Sequence, residues 1–326
     1  MKKNIWQKLR TGAVGLAPLA GITDSPFRQL CRNYGADFVI SEMVSAAGVY
    51  YEATKHSATP RSPQKNKSLE IAFFTELERP YIVQIFGNDC DQMATAAKII
   101  CAQFKPDGID INMGCPVRKI IKSGSGAALL NDPARAVAIT KSVKKAVGSE
   151  IPVSVKTRLG FGDKIISDLA PQLEQAGADA LIIHGRLQTQ FFSGPVDFKE
   201  IKKVVNAVKI PVFANGGITD FKSNQKALAQ TGAAGTLIGQ AARGNPFVFK
   251  SIKEPSYQPS WEETKNVIWE HTQRQIQFRH SEAFALTEMR KHYGWYIRGF
   301  KNAASWRQKL VRVTKLKEVE SILNSI

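Results

Sequence analysis

The residues best suited to chemistry crowd into one run, DINMGCPVRKIIKSGSGAALL, spanning positions 110–130. There Cys115 stands at the mouth of an apolar, strand-like segment, followed by Arg118, Lys119 and a Ser/Gly-rich turn. A thiol of ordinary pKa, about 8.5, is mostly protonated at neutral pH yet able to give its proton up, which suits an acid catalyst. Arg118 and Lys119 would pull such a thiol toward thiolate if they faced it, so they are expected to point instead at a polyanion. Other apolar runs also end on polar residues: Glu42, Gln84, Asn112, Lys156 with Arg158, His184 with Arg186, and Asn215. Any one of these satisfies itself easily at a strand end, but together they read as the lining of one pocket. Lys156 suits either a Schiff base or the stabilisation of an anion. Two later runs end in glycine loops, ANGGIT (214–219) and IGQAARGNP (238–246). Glycine lets backbone approach a ligand closely, and free N–H groups where a helix begins hold phosphate.

These residues need elements that bring them to one place. Eight short aliphatic or β-branched runs recur over the first 250 residues, at 13–18, 37–42, 81–86, 108–113, 152–158, 180–185, 211–216 and 235–240. Amphipathic segments fall between them, notably 90–104, 132–147, 163–176, 197–208 and 220–230. Near-continuous apolar strands alternating with helices predict a parallel sheet covered on both faces, and eight such units predict a (β/α)8 TIM barrel. In that fold the carboxyl ends of all strands share one mouth, and the loops after the last two strands hold phosphate. Segments 151–186 and 210–243 echo one another as repeated βα units. The Pro/Lys/Asn-rich stretch Thr59–Ser68 is read as a mobile surface excursion.

The texture changes at EPSYQPS (254–260). The division expected is a catalytic barrel at 1–254, a linker at 255–260 and a small all-helical domain at 261–326, with Ser260 capping its first helix. Residues 290–317 of that tail hold nine Lys or Arg and no acid, interleaved with Tyr293, Trp295, Tyr296, Phe300 and Trp306. The whole chain of 326 residues carries a formal charge of +17 and a pI near 9.7, a field that favours a polyanionic partner. Four cysteines with no CxxC and no neighbouring histidine argue against a zinc site or a disulfide frame and for reduced thiols. No apolar run is long enough to cross a bilayer, and the N-terminal apolar stretch is too short and broken for a signal peptide. A soluble, cytoplasmic, monomeric protein without metal is expected.

LAPLAGITDSPFR, VQIFG, DINMGCPVRK, GSGAALL, VKTRLGF, IHGR and ANGGIT occur here in the order found in tRNA-dihydrouridine synthases. The tail sequence MRKHYGWYIRGF resembles the bacterial dihydrouridine synthase B branch, and the similarity covers essentially the whole chain. The resemblance implies an FMN-dependent oxidoreductase that uses NADPH, or NADH, to reduce the 5,6 double bond of selected uridines in tRNA. It puts flavin contacts on Pro18, Leu19, Ala20, Gln84, Lys156, Asn215, Gly216, Gly217, Gly239 and Gln240, and active-site roles on Asn112 and His184. It makes Cys115 the acid that protonates C5 and Lys156 the cation beside the reduced flavin. Arg118, Lys119, Arg158, Arg186, Lys291, Arg298 and Lys301 are the expected tRNA contacts.

Three departures stand out against the family pattern: Leu19 where methionine is common, Gly217 in place of aspartate, and Gln240 in place of arginine. Arg243, one helical turn on, is the candidate to supply the missing charge. The nearest rival is a small-molecule FMN barrel dehydrogenase acting on a pyrimidine such as dihydroorotate, which has no use for a basic tail. A barrel that only binds RNA would not need Cys115 or Lys156. A Schiff-base lyase built on Lys156 would be colourless where a flavoprotein is yellow.

Overall fold

In the computed structural model, residues 4–9, 11–55, 67–162 and 164–326 are described. Eight parallel strands close on themselves: β1 (Ala13–Leu16), β2 (Phe38–Ile40), β3 (Tyr81–Phe86), β4 (Gly108–Met113), β5 (Val153–Arg158), β6 (Ala180–His184), β7 (Val212–Asn215) and β8 (Gly235–Ile238). Each pairs with the next, and β8 returns to β1 with Leu16 opposite Ile238. The expected TIM barrel is present. Several strands stop one or two residues short of their apolar runs, because the ends of those runs turn outward to build the mouth.

Helices α1 (Ser25–Asn33), α2 (Ala46–Lys55), α3 (Cys90–Phe104), α4 (Pro133–Val147), α5 (Ile166–Gln175), α6 (Phe198–Ala207), α7 (Phe221–Thr231) and α8 (Val248–Lys253) surround the barrel. Five of them start at an aspartate whose carboxylate accepts first-turn backbone N–H groups: Asp24, Asp89, Asp132, Asp197 and Asp220. Such caps fix where a helix begins and hence the length of the loop before it. A two-residue strand, Val44–Ser45, and a small hairpin, Gly160–Phe161 with Lys164–Ile165, were not legible in the sequence. Residues 59–66 of the surface excursion lie outside the described residues.

The barrel interior is closed at its amino end by Trp6, whose ring packs on Phe38 and Phe213 at centroid distances of 5.4 and 5.2 Å. Gly15 must lack a side chain there, since a Cβ would stand 2.3 Å from the Phe38 ring. The apolar N-terminal stretch is thus part of the barrel: its tryptophan is a plug, and its Ala13–Leu16 segment is the first strand.

The tail is helical throughout: α9 (Trp261–Arg279), α10 (Glu282–Tyr296), α11 (Ala303–Leu310) and α12 (Leu316–Ser325). Ser260 caps α9, accepting the Glu263 N–H at 3.0 Å. Its core of Ile268, Leu286, Met289, Tyr293 and Leu310 also takes in Leu30 and Phe247 from the barrel side. Polar contacts extend that seam, with Gln275 Nε2 donating to Asp24 at 3.0 Å and Arg274 to Gln29 at 2.6 Å. The tail is therefore docked along α1. Among the described residues no helix is long and apolar enough to cross a membrane.

Candidate active site

A cavity of about 540 Å³ opens at the carboxyl end of the barrel. Pro18, Leu19, Ala20, Gln84, Asn112, Cys115, Lys156, Arg158, His184, Arg186, Asn215, Gly216, Gly217, Gly239, Gln240 and Arg243 all line it. Most of the strand-end residues singled out in the sequence do share one pocket, because parallel register brings them level. Asn112 stands opposite Lys156, Arg158 opposite His184, and Asn215 opposite both His184 and Leu237. Glu42 does not line it. Its carboxylate instead accepts the backbone N–H groups of Gly21 and Ile22, pinning the loop after β1.

Each polar group is held by a specific partner. Lys156 Nζ donates to Asn215 Oδ1 at 3.0 Å, and Asn215 Nδ2 donates to the Leu237 carbonyl at 2.9 Å. Burial lowers the Lys156 pKa, while the nearby Asp110 carboxylate opposes that fall. Asn112 Nδ2 donates to Gln84 Oε1 at 2.8 Å, and Asn112 Oδ1 accepts the backbone N–H groups of Gly114 and Cys115 at 3.1 and 3.0 Å. This asparagine therefore shapes the turn that presents the thiol. His184 is buried and neutral, its pKa pushed down to about 2 by burial and by Lys156, Arg158 and Arg186. Its Nε2 lies 3.1 Å from Arg186 Nη1.

The half-buried Cys115 has its pKa raised by burial, a shift that Arg158 and Lys156 oppose without overturning. Arg118 and Lys119 sit exposed on the short helix Arg118–Lys122, outside the cavity, so the cations acting on the thiol are not the adjacent ones. Arg158 is a correction of another kind. It is only 2% exposed, with Nε donating to the Gly114 carbonyl at 2.8 Å and Nη1 to the Leu187 carbonyl at 3.1 Å. It braces the cysteine turn, and little of it is free to meet RNA.

The glycine loops make a cradle. Gly216 has φ +107°, and a Cβ there would come within 2.7 Å of the His184 ring. Gly239 has only ordinary contacts around its missing Cβ, so its smallness leaves open space in the cavity rather than serving the packing. Arg243 donates to the Gln240 side chain at 3.3 Å, and its guanidinium lies over the Trp295 ring of the tail at 5.3 Å.

Reading the sequence missed two contributors. Phe191 and Phe192 line the cavity with 44% and 53% of their surfaces exposed, and the Arg158 guanidinium lies over the Phe192 ring at 5.6 Å. Adjacent aromatics in a polar segment, QTQFFSG, were the available signal. In the tail, Arg298 and Lys301 are exposed, whereas Lys291 is half-buried and its charge acts on Asp24 and Glu42 at the seam. Among the described residues no cluster of His, Cys, Asp or Glu is arranged to hold a metal ion.

A TIM barrel with a cavity at its carboxyl mouth that gathers a half-buried lysine, a half-buried thiol and a glycine cradle has the site of an enzyme. The chain belongs to the dihydrouridine synthase family, whose model matches residues 15–326. It is 37% identical over 307 residues to a probable tRNA-dihydrouridine synthase of Rhodobacter capsulatus, covering 92% of this chain and 90% of the relative. It is likewise 37% identical over 290 residues to tRNA-dihydrouridine synthase B of Pseudomonas putida, covering 86% and 81%. Among solved structures, a 2-naphthoyl-CoA reductase complex superposes with a TM-score of 0.58 at 13% identity, covering 78% of this chain and 51% of the other. That likeness is one of fold.

Proposed function

We propose that this protein reduces the 5,6 double bond of particular uridines in tRNA, with FMN as its flavin and NADPH as the hydride donor. The observation that carries the reading is the meeting of Lys156, Asn215, the Gly216 cradle and the Cys115 thiol around one cavity. Its volume, about 540 Å³, suits a nucleotide-sized cofactor with room for a base. Pro18, Leu19, Ala20, Gln84, Lys156, His184 and Asn215 would hold the flavin ring, with Gly216, Gly217, Gly239 and Gln240 around its phosphate end. Arg243, which lines the same cavity, would supply the positive charge there.

Reducing uracil takes a hydride at C6, which reduced flavin supplies when bound, and a proton at C5, which must come from the protein. Cys115 is the donor: burial holds its thiol protonated, and the Asn112 contact fixes the turn that carries it. Lys156 stabilises developing negative charge, as a partly desolvated cation does strongly. Neutral His184 offers a hydrogen bond without adding charge. A uridine inside folded tRNA must leave its stack to enter such a cavity, and exposed Phe191 and Phe192 at the rim give bases an apolar surface to rest on.

Residues 261–326 would form the tRNA-gripping domain on a barrel of residues 1–254, with Arg298 and Lys301 on its open face. Arg118, Lys119 and Arg186 would meet phosphates nearer the mouth. The test is direct. Purified protein should be yellow, and heating it should release a flavin that runs as FMN on chromatography. Protein that yields no flavin and binds none on titration would overturn the reading.

A further inference from the structure

Beneath the cavity floor lies a carboxylate to which the proposed chemistry gives no task. Asp110, on β4, is fully buried, and it faces Gln84 on β3 and Ser154 on β5, each its register partner. Gln84 Nε2 donates to its Oδ2 at 2.7 Å, and Ser154 Oγ donates to its Oδ1 at 2.6 Å. The next link is the Asn112 amide, donating to Gln84 Oε1 at 2.8 Å, and the link after that is the Cys115 N–H, donating to Asn112 Oδ1 at 3.0 Å. Every donor in this chain points the same way: Cys115 to Asn112, Asn112 to Gln84, Gln84 to Asp110.

Side-chain amides are ambivalent, since either end can face a neighbour, and only a group of fixed polarity settles which does. An ionised carboxylate accepts and never donates, so it turns the Gln84 nitrogen down and its oxygen up. The Asn112 nitrogen then meets Gln84 and its oxygen meets the Gly114 and Cys115 N–H donors, so both ends of the chain require the same orientation. We propose that Asp110 is a positioning residue: as the terminal acceptor of this chain it anchors Gln84, and through Gln84 and Asn112 it holds the Cys115 turn in its working geometry. Burial raises the Asp110 pKa to about 7, a rise that the Gln84 and Ser154 hydrogen bonds and the Lys156 charge hold back in favour of the ionised form. The carboxylate is thus one fixed end of the chain and the Gly114 and Cys115 N–H groups are the other, with two amides between them that could otherwise flip.

The assignment of Cys115 as proton donor rests on the proposed function; the positioning by Asp110 does not. The test therefore begins with a readout that needs neither flavin nor tRNA, the rate at which iodoacetamide alkylates Cys115 in the full chain, followed by peptide mass mapping. Asp110→Leu removes the acceptor and should speed alkylation about tenfold, the effect of losing one buried hydrogen-bond partner. Asp110→Asn is the rescue. Its amide oxygen can still accept from Gln84 while its nitrogen donates to Ser154, so the rate should stay within about twofold of wild type. A role in filling space alone predicts no such contrast.

With tRNA, reoxidation of reduced flavin at saturating substrate should follow the same order, slow in Asp110→Leu and largely restored in Asp110→Asn. If Asp110→Leu fails to fold, Gln84→Leu breaks the chain one link higher and must release Cys115 similarly. Wild-type alkylation in the folded leucine variant at either position overturns the proposal. So does equal acceleration in Asp110→Leu and Asp110→Asn. A colourless protein that still shows the alkylation contrast overturns the flavin reading and leaves this one standing.

Discussion

Lys156 and Asn215 meet across the barrel mouth from strands two apart, the ammonium donating to the amide oxygen at 3.0 Å. With its nitrogen committed to the Leu237 carbonyl, Asn215 can offer Lys156 only an acceptor. The lysine is thus fixed by a neutral partner, and its charge remains directed at the cavity.

Lys156→Met keeps the length of the side chain and removes that charge. Flavin reduction by NADPH should slow by about a hundredfold, the scale of losing one preorganised stabilising group. Rapid-mixing absorbance of the flavin band measures this, with flavin occupancy checked on the same sample. An unchanged rate would mean that the cation serves binding only.

Cys115→Ala should separate the two halves of the reaction. Bleaching of the flavin by NADPH should proceed at close to the wild-type rate, whereas reoxidation by tRNA should fall by about 10²- to 10⁴-fold, as for loss of a general acid. In the wild type the raised thiol pKa keeps the proton in place through neutral pH. Reoxidation should therefore hold through neutrality and decline only as the pH climbs through that raised pKa. Cys31→Ala, which replaces a thiol buried in the core, should leave the profile unchanged.

Neutralising Arg298 and Lys301 to glutamine should weaken tRNA binding and lower the log–log salt slope by about two, one for each phosphate no longer neutralised. Lys291 is better left intact, because its charge faces Asp24 and Glu42 and its loss would disturb the seam as well. Filter-binding or anisotropy titrations at several salt concentrations report the slope. A slope equal to that of the wild type would make this face a merely solvated one.

Arg28 and Glu78 form a fully buried ion pair at 2.6 Å, and Glu78 also accepts from Ser25 at 2.5 Å and the Thr75 N–H at 2.8 Å. Glu78→Ala strands the guanidinium without its counter-charge and should destabilise the fold by about 3–5 kcal/mol. Thermal or urea unfolding measures the loss. Replacing Glu76, which is largely exposed and pairs at the surface with Arg79, should cost about 1 kcal/mol or less.

Much of this protein was determined by local pattern. The spacing of the apolar runs reveals eight strands, because the strands are buried along their length and, taken together, are mostly apolar. The aspartates and Ser260 mark helix starts, because a cap satisfies backbone groups within a few residues of itself. Even most of the cavity's membership was legible, since in a closed parallel barrel every strand end must reach the same mouth. What pattern could not supply is the direction in which long side chains turn and what they meet. That Arg118 and Lys119 turn away from Cys115 was expected, but not that Arg158, some forty positions on, acts on the thiol in their place. Arg158 and Lys291 were expected to contact tRNA; the fold turns the first to brace the cysteine loop and sets the second at the seam, because burial is decided by elements far away in the chain. Asp110 looked like one polar residue in a strand. Only closure of the barrel, which sets it between Gln84 and Ser154, made it the end of a hydrogen-bonded chain.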